Sequence, residues 1–117
     1  MRRGDIALAI LPQADGIEKV RPVLLLGRLP GYGDWLVVGI SSQVEKAIAS
    51  WDVELDPFLP EHHATGLKSR SIVRLGFVAT LPSSRIRGLI GAMPTTTLDL
   101  VLRRLSDFLL AGKGSEQ

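Results

Sequence analysis

Apolar residues in this chain form short, nearly unbroken runs that are separated by turn-forming residues. The first run covers residues 5–12 and the second covers residues 21–28. Runs of this length, bounded by Gly, Pro and Asp, are typical of buried β-strands. Residues 13–19 are therefore predicted to form a hairpin-type loop between two adjacent strands. Pro22 is expected at the start of the second strand, because proline cannot donate a hydrogen bond within a sheet.

Three further segments have strand character. Residues 35–41 resume the apolar pattern after a turn-rich stretch, residues 51–55 alternate apolar and acidic side chains, and residues 71–81 end at Pro82. The alternation over residues 51–55 predicts a strand with one solvated face. Because no helix-length segment separates the early strands, parallel β-α-β topology is disfavoured and an antiparallel sheet is expected.

The C-terminal segment has a different period. Its apolar residues recur at spacings of three and four: Leu98, Val101, Leu102, Leu105, Phe108 and Leu109. This spacing predicts one amphipathic helix, with a capping-box-like start over residues 96–99 and Gly112 at its C-terminal end. A second, short helix is predicted over residues 83–90, although Gly88 and Gly91 weaken it.

Length and composition limit the domain organisation. A chain of 117 residues, 45% hydrophobic and 22% charged, is long enough for one packed domain and too short for two. Residues 1–112 are assigned to this domain and residues 113–117 to a frayed tail. The predicted fold is mainly β with helices (α+β), a small antiparallel barrel that carries a C-terminal amphipathic helix.

The sequence also limits the location of the protein and the chemistry open to it. No segment reaches the ~20 apolar residues of a membrane span, and the run after Asp5 is too short for a signal-peptide core. A cytoplasmic protein without membrane contact is expected. The absence of cysteine excludes disulfides and thiolate metal sites.

The basic residues are mostly arginine. The formal net charge is only +2, but arginine supplies ten of the fourteen basic residues. The planar guanidinium group binds phosphate bidentately, whereas the lysine ammonium acts as a point charge. From composition alone, the simpler interpretation is that most of these arginines are solvated.

Two groups of residues suggest metal binding but are better explained otherwise. His62 and His63 are predicted to lie in a surface loop, because neighbouring rings on an extended backbone point apart and no further ligand completes a site. Asp52, Glu54 and Asp56 are predicted to form a solvated strand face, because metal-dependent nucleases need acids that converge from separate elements. No metal site is predicted.

The two tryptophans are candidates for stacking on nucleic-acid bases. Exposed aromatic rings contribute about 1–3 kcal/mol per stacked base. However, Trp35 and Trp51 each stand at the start of a predicted strand. Both are therefore predicted to belong to the hydrophobic core.

Four motifs together carry a family resemblance. They are Arg3-Gly4-Asp5-Ile6, Val20-Arg21-Pro22-Val23-Leu24-Leu25-Leu26, Ile40-Ser41-Ser42-Gln43, and Ser71-Ile72-Val73-Arg74-Leu75, the last in a segment that ends at Ala79-Thr80-Leu81. In this order and with these gaps, the chain resembles the MazF/PemK family of toxin endoribonucleases over nearly its whole length. The resemblance implies an SH3-like barrel shared with the CcdB toxins and a homodimer. It further implies cleavage of single-stranded RNA without a metal ion or cofactor, and neutralisation by a cognate antitoxin.

The resemblance also implies which residues act. Arg21, before a proline, and Ser41, ahead of a glutamine, match the family's two functional positions. Ser41 departs from the usual threonine: it keeps the hydroxyl group but loses the methyl group that restricts rotation about χ1. Ser42 and Gln43, in the same motif as Ser41, are also expected to contact RNA. By their positions, Lys19 near Arg21 and Arg70 beside the fifth strand are expected to be auxiliary phosphate contacts, with an ordinary solvated cation as the alternative for each.

The chemistry of RNA cleavage assigns roles to these groups. Attack by the ribose 2′-hydroxyl moves negative charge onto the non-bridging phosphate oxygens, and fixed donors aimed at those oxygens stabilise the transition state. Arg21 provides such donors but is a poor general base, because a guanidinium group stays protonated. The nearest carboxylates in sequence, Glu18 and Asp15, are candidates for the base, although their spacing does not match the family loop.

Two other functions remain open at this point. One is a toxin of the same fold that acts on a protein such as gyrase, as CcdB-type proteins do. The other is a catalytically silent relative that binds an antitoxin, with Ser41 marking the loss of activity. The sequence on which an RNA would be cut is not predicted.

Overall fold

The computed structural model describes residues 1–113 and contains one curled, six-stranded sheet. Its strands are β1 (Asp5–Pro12), β2 (Glu18–Arg28), β3 (Trp35–Ser41), β4 (Val53–Leu55), β5 (Ser71–Leu81) and β6 (Ile86–Ala92). They lie in the order β4-β5-β3-β2-β1-β6, and each neighbouring pair is antiparallel. One helix, α1 (Thr95–Ala111), follows the last strand. The predicted mainly β fold with a C-terminal helix is confirmed.

Both faces of the sheet carry buried apolar side chains, which explains why the strands appear in the sequence as continuous apolar runs. On one face, Leu24, Val38 and Val73 form a core together with Val101 of α1. On the other face, Val23, Val37 and Trp35 form a second cluster with the alanines of β1. Successive residues of a strand point to opposite faces, so β2 and β3 contribute to both clusters.

The second strand begins earlier than predicted. β2 starts at Glu18, so the connecting loop is shorter than residues 13–19 and Pro22 lies inside the strand rather than at its start. Pro22 pairs with Leu8 of β1, whereas pairing with β3 begins only at Val23. Proline is therefore tolerated, because one side of the strand is unpaired at this point.

The short helix predicted over residues 83–90 is wrong. Residues Ser83–Arg85 form a 3-10 turn and the chain then continues as β6, which pairs with β1. The glycines explain the difference, because glycine disfavours a helix and permits close backbone approach. A Cβ atom at Gly91 would overlap the backbone of Ala64 and Thr65, in the 3-10 segment Pro60–Thr65.

The C-terminal helix is confirmed, but its start differs from the predicted one. α1 begins at Thr95 after Pro94, and no side chain caps its first turn, so the capping box over residues 96–99 is absent. Its end agrees with the prediction, because Gly112 is left-handed at φ 75° and its N–H donates to the Phe108 carbonyl at 2.7 Å. Of the predicted tail, residues 113–117, all but Lys113 lie outside the described residues.

Both tryptophans are packed, as predicted. Trp35 is 4% exposed. Trp51 packs against the core that faces α1, and its ring meets that of Phe108 edge-on with centroids 5.3 Å apart. Within residues 1–113, no helix has the length and apolarity needed to cross a bilayer.

The segment before β4 is fastened by one carboxylate. Asp52 accepts hydrogen bonds from the Ile48 N–H at 2.9 Å and the Leu75 N–H at 3.2 Å, while Arg104 of α1 donates to the Asp52 carbonyl at 2.8 Å. β4 is thus shorter than the predicted residues 51–55, because Asp52 belongs to this junction.

We expect Asp52→Ala to lower the free energy of unfolding by about 1–3 kcal/mol, because two backbone donors lose a charged acceptor. Urea denaturation of both proteins measures this difference. Glu54→Ala is the matched control, because Glu54 is exposed and forms only a surface ion pair with Arg70. Equal losses in the two variants would contradict a structural role specific to Asp52.

Candidate functional site

A pocket of about 190 Å³ lies where β2, β3 and β5 meet, at the C-terminal end of β3. Its lining combines two cations, several polar side chains and a small apolar area. The lining residues are Leu11, Gln13, Arg21, Gly39, Ile40, Ser41, Ser42, Gln43, Arg74 and Phe77. The structure therefore brings together four of the residues singled out from the sequence: Arg21, Ser41, Ser42 and Gln43.

The register of the sheet explains why Arg21 and Ser41 meet. Val23 of β2 pairs with Gly39 of β3 in an antiparallel ladder. Continuing this register by two residues on each strand places Arg21 opposite Ser41, just beyond the last paired position. Residues opposite one another on antiparallel strands project to the same face, so both side chains face the pocket.

The orientation of the Ser41 hydroxyl group is set by its own loop. The Ser41 Oγ accepts a hydrogen bond from the Gln43 N–H at 3.1 Å. Such a local turn leaves the hydroxyl hydrogen free to donate to a ligand. This hydrogen bond therefore restricts the rotation of the Ser41 side chain about χ1, which in threonine is restricted by the methyl group.

Arg74 is a second cation in the pocket, and the sequence analysis did not select it. It pairs with Gly39, whereas Ser41 pairs with Ile72 on the same strand. Within residues 1–113, the guanidinium groups of Arg21 and Arg74 form no ion pair or side-chain hydrogen bond, and no carboxylate lines the pocket. Two exposed guanidinium groups beside hydroxyl donors form a site suited to a phosphate or another anion.

Gln13, Leu11 and Phe77 also line the pocket without having been predicted. Gln13 lies in the loop after β1, and Leu11 lies at the end of that strand. Of Arg74 and these three residues, only Arg74 belongs to one of the sequence motifs, Ser71–Leu75, and could have been selected from the sequence. Leu11 and Phe77 reach the pocket through strand pairing, which the sequence did not specify, and Gln13 reaches it from the loop after β1.

Four residues predicted to belong to the site lie outside the pocket lining: Lys19, Arg70, Glu18 and Asp15. Lys19 precedes Arg21 by two residues on β2 and pairs with Leu11, which lines the pocket. Arg70 forms a surface ion pair with Glu54. Their contacts with RNA stay predictions.

The two candidate bases also lie outside the lining. Glu18 is bound to Arg85 at 2.5 Å, and the Asp15 Oδ1 accepts a hydrogen bond from the Ile17 N–H at 3.0 Å within the hairpin turn. The assignment of either carboxylate as a base is untested by this geometry and stays a prediction.

The residues that suggested metal binding have structural partners instead. The Nδ1 atom of His62 accepts a hydrogen bond from the Asp56 N–H at 2.9 Å, and the Asp56 carboxylate accepts one from the Phe58 N–H at 3.0 Å. Only Glu54 of the three acids is exposed; Asp52 and Asp56 are partly buried. Across the described part of the chain, no group of three His, Asp or Glu side chains is placed to share a metal ion.

Comparison with known proteins decides the family. The sequence model of the PemK-like, MazF-like toxins of type II toxin-antitoxin systems matches residues 2–109. The chain belongs to this toxin family. A sequence search of curated proteins gives no significant match.

Solved structures of MazF toxins share the fold of this PemK/MazF-family toxin. The Mycobacterium tuberculosis toxin MazF-mt6 is 23% identical, with a TM-score of 0.67 over 90% of this chain and 95% of that chain. MazF from Deinococcus radiodurans (Form-I) is 21% identical, with a TM-score of 0.70 and 97% of each chain covered. A MazE-MazF structure from the same organism (Form-II) is 18% identical, with a TM-score of 0.67 over 93% of this chain and 94% of that chain.

Proposed function

We propose that this toxin is a metal-independent endoribonuclease that cleaves single-stranded RNA, including mRNA, and thereby inhibits translation and growth. The observation that carries the proposal is the pocket in which Arg21 and Ser41 face each other beside Arg74. Membership of the PemK/MazF family supports the same activity. The pocket fits an RNA phosphate in charge, hydrogen-bonding capacity and openness to solvent.

The proposed reaction is a transesterification within the RNA. The ribose 2′-oxygen attacks the adjacent phosphorus, the bond from phosphorus to the 5′-oxygen breaks, and the 2′-hydroxyl proton is lost while the leaving oxygen gains a proton. The products are a 2′,3′-cyclic phosphate and a 5′-hydroxyl. Negative charge grows on the non-bridging oxygens in the transition state, and donors fixed in advance around these oxygens lower the barrier.

Four of the pocket residues have a role in this scheme. Arg21 donates to the non-bridging oxygens and stabilises their charge, and Arg74 adds a second positive charge across the pocket. Ser41 donates its hydroxyl hydrogen to a phosphate oxygen, while its Oγ accepts the hydrogen bond from the Gln43 N–H. Glu18 and Asp15 stay the candidates for the base, and Glu18 would first have to leave Arg85.

The hydroxyl group of Ser41 provides a specific test. Ser41→Ala is expected to lower kcat/KM for a long RNA in EDTA by about 10- to 150-fold, because a hydrogen bond to a charged oxygen is worth about 1.5–3 kcal/mol. Ser41→Thr keeps the hydroxyl group and is expected to keep the activity.

Ser84→Ala is the matched control, because Ser84 is exposed and lies outside the pocket. It is expected to leave the rate unchanged. Wild-type rates in both Ser41→Ala and Ser84→Ala would contradict the role assigned to the Ser41 hydroxyl group.

We further propose that the toxin acts as a cytoplasmic homodimer and is neutralised by an antitoxin. The solved Deinococcus radiodurans MazE-MazF structures, which share this fold, support such a partner. The two uncompensated arginines require acidic side chains from the antitoxin, and exposed apolar residues such as Val20 and Ile17 require apolar ones. A partner segment of this kind orders on binding.

A further inference from the structure

We propose that Phe77 forms a base-stacking subsite beside the phosphate pocket. In this subsite the ring stacks on a nucleobase of the RNA strand whose phosphate is held by Arg21 and Ser41. The inference rests on the proposed cleavage of RNA and assigns a recognition role to a residue that the cleavage chemistry does not use.

An irregularity in the sheet places Phe77 at the pocket. β3 and β5 pair at Val38 with Val78 and then at Gly39 with Arg74. The three intervening residues of β5 have no partner on β3, so the strand bulges there. Bulges redirect side chains and are common beside functional sites. The bulge brings Phe77 to the face that carries Arg74, although the two residues are three positions apart and simple alternation would place them on opposite faces.

The glycine beneath the ring leaves space for it. A Cβ atom at Gly39 would lie 3.0 Å from Cδ1 of Phe77. The ring thus occupies the space of the absent side chain and rests on the backbone of β3. It nevertheless stays 37% exposed and lines the same pocket as the two arginines. One part of the ring therefore packs against the backbone of β3, and another part is open to the pocket.

A nucleotide matches this combination of groups. It presents an anionic phosphate for Arg21 and Arg74 and, a short distance away, a flat base for the ring. Stacking on an aromatic side chain accepts any base, because every base has a π-face. The two most exposed aromatic residues, Phe58 at 73% and Tyr32 at 99%, lie outside the pocket lining and lack adjacent pocket cations.

Binding of two non-cleavable oligonucleotides tests the proposal. Both are heptamers with 2′-O-methyl riboses: one carries adenine at each position, and the other is abasic throughout. Phe77→Leu keeps an apolar side chain over Gly39 but removes the aromatic face. We expect Kd for the adenine heptamer to rise about 5- to 150-fold in this variant and Kd for the abasic heptamer to stay near the wild-type value. Phe77→Trp is expected to retain the preference for the adenine heptamer.

Controls separate the outcomes. Phe58→Leu, the same substitution outside the pocket, is expected to leave both Kd values unchanged. An equal loss for the two heptamers in Phe77→Leu, or no loss for either, would overturn the stacking role.

Cleavage of a long RNA by the wild-type toxin is measured in parallel. Wild-type cleavage with unaltered base preference in Phe77→Leu overturns the subsite alone, whereas a wild-type toxin that neither binds the heptamers nor cleaves RNA overturns the proposed function as well.

Discussion

Replacing Arg21 by alanine is expected to lower the rate of RNA cleavage by about 100- to 1,000-fold, the usual effect of removing one fixed donor from a developing oxyanion. Arg21 is exposed, and within residues 1–113 its guanidinium group forms no hydrogen bond or ion pair, so the folded state does not depend on this side chain. The loss should therefore appear in the rate constant of the cleavage step, with little change in the urea midpoint. Single-turnover cleavage of a long RNA in EDTA measures it.

Two further arginine variants sharpen this experiment. Arg21→Lys keeps the charge but not the planar fork of donors, so we expect an activity between those of the wild type and Arg21→Ala. Arg87→Ala removes an exposed arginine of β6 outside the pocket and is expected to leave cleavage unchanged. Cleavage at the wild-type rate in Arg21→Ala would contradict the assignment of Arg21 to the transition state.

The largest effect on stability is expected at Gly66. This residue is left-handed at φ 71°, and a Cβ atom there would overlap the carbonyl oxygen of Ile90 in β6. Gly66→Ala combines the energy of a left-handed alanine, about 1–2 kcal/mol, with overpacking of about 1–3 kcal/mol. We therefore expect the free energy of unfolding to fall by about 2–5 kcal/mol, measured by urea denaturation.

Gly88 provides the matched control on β6 itself. A Cβ atom at Gly88 would meet nothing within 4 Å, and Gly88 does not have a positive φ. Gly88→Ala is expected to leave stability unchanged or to raise it by up to about 1 kcal/mol, because alanine restricts the unfolded chain. Similar stabilities of the Gly66 and Gly88 variants would show that close packing of residues 60–66 against β6 is not needed for the fold.

The sequence predicted most of the sheet for a physical reason. Strands buried on both faces produce unbroken apolar runs, and β1, β3 and β5 lie where those runs lie. β6 was missed because it contains Gly88 and Gly91 and has no such run. It is a strand because β1 offers an edge to pair with and Gly91 allows the backbone of Thr65 to approach. Both conditions arise only from tertiary contacts.

The candidate site was predictable only in part. Arg21 and Ser41 follow from motifs that each lie within one short segment. Arg74 and Phe77 reach the same pocket through the β3–β5 register and its bulge, and a register cannot be read from composition. The candidate bases rest on closeness in sequence to Arg21 and stay predictions, because the ion pair of Glu18 with Arg85 could not be read from the sequence.

The most direct test of the central claim is to identify the RNA ends that the purified toxin produces in EDTA. The account predicts cleavage that leaves 2′,3′-cyclic phosphate and 5′-hydroxyl ends, and no cleavage of an RNA that carries a single 2′-deoxyribose at the cleaved nucleotide. Cleavage that requires a divalent cation and leaves 5′-phosphate ends would contradict it. So would an intact RNA together with inhibition of a protein target such as a topoisomerase.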